Sequence, residues 1–161
     1  MNAVCFAGIA ALLLSFNACN NKDECNIPCY NGACVNNSCN CSLGYEGDSC
    51  TVPSVDKFIG NWDGIDSCET DNYIYTATIA GSSSVTNQLI ITNFGRFGTS
   101  FTVTADISGF SFTVPLQNVQ GLSLSGSGVI DTVIKQITVI YEATDVFGNT
   151  DHCGGTWQKQ Q

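Results

Sequence analysis

At 161 residues the chain has room for one ordinary domain or two small ones, and 14 acidic against five basic residues give it a formal charge of −9. So few Lys and Arg, none of them clustered, exclude nucleic acid as a partner, because phosphate binding depends on grouped basic side chains. They equally exclude docking on anionic lipid by charge alone. Eight of the ten cysteines precede residue 51, and the remainder is rich in Thr, Ser, Val, Ile and Phe, so the fold class expected is all-β, with a small disulfide-stapled part ahead of a larger sheet domain.

The first element, Val4 to Phe16, is an apolar run of 13 residues. That is short for a helical membrane span and about the length of a secretory targeting core. No Lys or Arg precedes it, which departs from the usual signal. Cleavage by an ordinary signal peptidase after Ala18 would put bulky Phe16 where a small residue is wanted. Phe16-Asn17-Ala18-Cys19 instead resembles the lipobox of bacterial lipoproteins, with Asn17 a departure at its position. The resemblance implies a signal peptide at 1–18 and lipid on Cys19, and each buried methylene then adds about 0.8 kcal/mol to membrane attachment. Cysteine parity agrees: Cys5 leaves with the signal, Cys19 takes lipid, and eight remain to pair. Residues 19–24 become a tether in which Lys22-Asp23-Glu24 resembles the signal that sends some Gram-negative lipoproteins to the outer face of the outer membrane. The expected location is therefore the outer membrane, lipid-anchored and facing outward.

Residues 25–50 hold cysteines at 25, 29, 34, 39, 41 and 50. A stretch this short cannot bury a core, so bridges must stabilise it, and spacing alone does not choose the pairing. Asn31-Gly32 before Cys34, the single Asn40 between Cys39 and Cys41, and Gly44-Tyr45 with Gly47 before Cys50 resemble an EGF-like domain. That resemblance implies Cys25–Cys34, Cys29–Cys39 and Cys41–Cys50. Calcium-binding members of that family place oxygen ligands where this chain has Asn21, Asp23, Glu24 and Asn36, side chains of the kind calcium prefers. No cofactor is otherwise required.

Residues 51–56 read as a linker, with Pro53 opposing a continuous strand. From 57 to 161 the period is two: Tyr73, Tyr75, Ala77 and Ile79, then Phe101, Val103, Ala105 and Ile107, then Phe110, Phe112, Val114 and Leu116 alternate with mostly polar neighbours. Strands are expected at 58–63, 73–80, 88–94, 100–107, 110–117, 122–130, 134–146 and 153–159, with a tight turn at Ser108-Gly109. Eight short-looped strands suggest an antiparallel meander that closes into a barrel and so removes its edges. Gly60-Asn61-Trp62 on the first strand resembles the opening motif of lipocalin-like barrels, which implies Trp62 plugging the closed end. The last expected strand holds Thr156-Trp157-Gln158-Lys159 at its end, where that family sets an Arg against the Trp.

Cys68 and Cys153 are left to pair with each other, closing a loop of roughly 86 residues. His152 beside Cys153 and Asp151 superficially suggests a Cys–His pair, yet adjacent strand residues point to opposite faces and an oxidised Cys153 offers no thiolate. Asp63, Asp66, Glu69 and Asp71 read as a solvated acidic run around Cys68, with cation binding the lesser reading. No nucleophile elbow, phosphate loop or metal-ligand spacing is present, so the expectation is a non-enzymatic protein. Two functions remain: surface display of the barrel for an extracellular protein or glycan, and carriage of a small apolar ligand in the barrel. At about 105 residues the strands are short enough for Phe and Ile to fill the interior.

Overall fold

The computed structural model describes residues 25–161; the targeting segment, Cys19, Asn21, Asp23 and Glu24 lie outside them. Two small hairpins form the disulfide module. β1 (Gly32–Val35) pairs with β2 (Ser38–Cys41) through an Asn36-Asn37 turn, and β3 (Tyr45–Glu46) pairs with β4 (Val52–Pro53). Its bridges are Cys25–Cys34, Cys29–Cys39 and Cys41–Cys50, the pattern the EGF-like resemblance implies. The segment expected as a plain linker thus contributes a strand. Pro53 is tolerated because this two-residue strand pairs on one side only.

Eight strands follow: β5 (Gly60–Cys68), β6 (Asn72–Gly81), β7 (Gln88–Thr92), β8 (Thr102–Ser108), β9 (Ser111–Val119), β10 (Leu122–Asp131), β11 (Gln136–Thr144) and β12 (Thr150–Lys159). They form a closed antiparallel barrel in which each strand neighbours the next in sequence, and β12 pairs with β5 to complete the ring. The core is continuous, with Trp62, Phe94, Phe101, Phe112 and Trp157 all 1% exposed or less. The interior is filled by side chains, as the short strands suggested.

Several boundaries differ from the sequence reading. The first strand extends to Cys68, five residues beyond the expected end at 63. The run expected as strand to residue 94 stops at Thr92, because Asn93 turns into the left-handed region (φ 59) and starts a 3₁₀ turn, Phe94–Arg96. Phe110 and Leu116, expected on the dry face, are 59% and 74% exposed.

One ladder is incomplete. β8 and β9 pair only from Asp106↔Thr113 to Ser108↔Ser111. Beyond that the Gln117 side chain takes over the backbone's role: its amide oxygen accepts from Thr104 N (3.1 Å) and its amide nitrogen donates to Thr104 O (2.9 Å).

The meander gives the barrel two rims. One is formed by the entering chain and the loops at 82–87, 109–110 and 132–135; the opposite rim carries the loops at 69–71, 93–101, 120–121 and 145–149. The disulfide module joins the first rim. Lys57 Nζ contacts Glu46 Oε2 at 2.5 Å, donates to Gly109 O at 3.0 Å and lies 4.6 Å from the centre of the Phe110 ring. Gly44, at φ +89, approaches Thr86 so closely that a Cβ would come within 2.8 Å of its side chain. Trp62 is fully buried near the same rim, its indole nitrogen donating to Phe58 O at 2.8 Å. Lys159 covers it, with Nζ 5.4 Å from the ring centre, standing where the lipocalin-like pattern has Arg.

Candidate functional site: an aromatic and acidic cup at the far rim

Strand parity builds the floor of the site. Trp62, Gly64, Asp66 and Cys68 alternate along β5 and face inward, while Ile65 between them faces out and is 60% exposed. Asp66 is therefore no member of a solvated acidic run: it is fully buried. Asp63 faces outward and accepts from Thr76 Oγ1, and Glu69 and Asp71 are exposed. The run looked continuous in sequence because an inward Asp and an outward Ile invert the usual alternation.

Three side chains from three strands satisfy Asp66. Tyr75 OH on β6 donates to Oδ2 at 2.6 Å, Tyr141 OH on β11 to the same oxygen at 3.0 Å, and Trp157 Nε1 on β12 to Oδ1 at 3.1 Å. Gly155 makes this approach feasible, since a Cβ there would strike the Asp66 carboxylate. Burial, and next the Asp66 carboxylate, push the Tyr75 and Tyr141 hydroxyls far above the ordinary tyrosine range. Above this cluster Phe94 is inserted edge-on, its ring centre 4.9 Å from that of Tyr141 and 5.5 Å from that of Trp157. The Gly95 N–H donates to Tyr75 OH at 3.2 Å, anchoring the 3₁₀ turn to the floor.

Over this floor the far rim encloses a cup of about 420 Å³. Tyr73, Phe97 and Tyr141 supply its rings; Arg96, Asp145 and Asp151 are its charged members. The β11–β12 loop is preorganised by Asp145, whose Oδ1 accepts from Phe147 N and Asn149 N at 2.8 and 2.9 Å and whose Oδ2 accepts from Asn149 Nδ2 at 2.8 Å. Those bonds, led by the Asn149 side-chain amide, hold its carboxyl below the ordinary carboxylate range. Asp151 pins the opposite loop by accepting from Glu69 N, Thr70 N and Thr70 Oγ1. The Cys68–Cys153 bridge lies in the cup wall, joining residues directly opposite each other on β5 and β12.

The remaining sequence candidates do not gather here. His152 projects outward, 4.0 Å from Glu142, while Cys153 is in its bridge. Asn36 occupies the β1–β2 turn at φ 50, exposed; its three expected calcium partners lie outside the described residues. What sequence reading missed was Asp66 with Tyr75, Tyr141 and Trp157. The available signal was parity: counting by twos from Trp62 places Asp66 inside.

No protein-family model matches the chain, and no curated protein matches it.

Proposed function

We propose that this is a non-enzymatic bacterial surface lipoprotein, held in the outer membrane by lipid on Cys19, in which an EGF-like module carries a lipocalin-like barrel outward to bind an extracellular protein or glycan. The observation that carries the reading is polarity along the barrel. The disulfide module joins one rim through Lys57 and Glu46, and the aromatic cup lies at the other. An anchor preceding Cys25 therefore leaves the cup distal, where a partner reaches it first.

The filled interior favours recognition at the rim over carriage within the barrel. A carrier reading retains support from the cup itself, whose volume falls within the range of small-molecule sites. Protease shaving of intact cells with intact-mass analysis tests the proposal. Release of the barrel from unbroken cells, with a lipid-sized mass on Cys19, is the expected result. A barrel that survives until the outer membrane is opened contradicts surface display. Native mass spectrometry showing a co-purified small apolar molecule would favour the carrier.

A further inference from the structure

The far-rim cup, taken as the binding surface proposed above, sets hydrogen-bond acceptors among aromatic and aliphatic side chains. Tyr141 commits its hydroxyl proton to Asp66, so its oxygen has only lone pairs left to offer. Asp145 and Asp151 add two carboxylates, and Tyr73, Phe97 and Tyr141 add ring faces. Carboxylates beside aromatic faces suit a cation, which gains from both the charge and the ring quadrupole.

The chain already places one cation there. Arg96 makes no ion pair with either acid among the described residues; its guanidinium lies over Tyr73, 5.6 Å from the ring centre. The backbone is bent to put it there, with Asn93, Gly95 and Arg96 at φ 59, 60 and 65. Non-glycine residues enter that region seldom, and such outliers gather where a side chain must be aimed.

The surroundings fit a protein partner. Glu69, Asp71, Asp145 and Asp151 outnumber Arg96 around this rim and draw basic rather than acidic surfaces. Beside the cup, Val146 and Phe147 are 74% and 87% exposed on the loop that Asp145 stiffens, so an apolar contact is held ready next to the charged one.

We propose that the cup receives a guanidinium or ammonium group from a basic side chain of a partner protein, and that Arg96 is the stand-in occupying the Tyr73 face in the free protein.

The test is ligand-observed saturation-transfer NMR on the purified full-length protein, using Nα-acetylated arginine amide, the Nα-acetylated and therefore uncharged citrulline amide, and glucosamine. Arginine amide should bind about tenfold more tightly than citrulline amide. Arg96→Ala should strengthen arginine amide binding by about threefold or more, because the competitor is gone. Tyr73→Leu should weaken it about tenfold while the melting temperature stays near that of the parent. Equal binding of the two amides, or none, overturns the proposal. Loss of binding in Arg96→Ala also overturns it, since Arg96 would then support the probe instead of competing with it for the Tyr73 face. Tighter binding of glucosamine than of arginine amide overturns the protein source in favour of an amino sugar. If Tyr73→Leu folds poorly, the sign of the Arg96→Ala effect decides alone. These readouts do not depend on cellular location, so failure here and failure of surface display are separately visible.

Discussion

Asp66 shows how much one inward residue can organise. Its carboxylate gathers hydroxyls from β6 and β11 and the indole from β12, tying four strands through one side chain. Replacing it by Ala leaves three buried donors without an acceptor, and we expect a loss of about 3 to 5 kcal/mol in urea denaturation. Asp66→Asn retains one acceptor oxygen and should fall between the parent and Ala. The two tyrosines make the alkaline limb of stability steep. Because folding raises their pKa above the ordinary 10.0, the stability they contribute is complete below about pH 10 and declines as pH climbs past it. Tyrosinate absorbance should therefore show two of the five tyrosines ionising together with the loss of near-UV circular dichroism. Ionisation of both within an intact barrel would contradict the cluster.

Among the elements, alternation made the strands legible wherever apolar residues face in and polar ones out, as in β6 and β8. It failed at β5, where Gly64 and Asp66 face the core and Ile65 faces water. The turn after β7 was hidden for another reason: Phe94 reads as the last residue of a strand that holds Leu89, Ile90 and Ile91, yet serves as an inserted wedge after a left-handed Asn93. Strand pairing was legible as a meander, but the short β8–β9 ladder was not, because Gln117 reads as an ordinary outward polar residue. Its amide holds both backbone groups of Thr104. Gln117→Ala should cost about 1 to 2 kcal/mol and speed amide exchange at Thr104 more than at Ile107, whose N–H donates to Asn87 O. Equal acceleration at both would indicate general loosening.

For the whole molecule, the bridge from Cys68 to Cys153 closes the ring where the chain's first and last barrel strands meet. On the chain-entropy account it stabilises by about 4 kcal/mol. The Cys68→Ala, Cys153→Ala double variant should melt at a clearly lower temperature with the three module bridges intact by mass. An unchanged melt would show that the β5–β12 ladder needs no covalent support. The closed barrel and the presence of a stapled module were readable from strand count and cysteine density, whereas the pairing within the module needed the EGF-like resemblance. The cup was not readable, because its members come from strand ends and loops far apart in sequence.

The course of β5 has a mechanical consequence. It leaves the module's rim at Gly60 and reaches the cup at Cys68, paired with β6 from Gly60 to Ser67 and with β12 from Trp62 to Cys68. A partner tugging at the cup against a fixed N-terminus would load these ladders along the strand axes. Their hydrogen bonds, which lie across the strands, would then share the force in shear instead of breaking one by one as a zipper does. The Cys68–Cys153 bridge clamps the loaded end of that path, so the barrel would resist being peeled open from that rim.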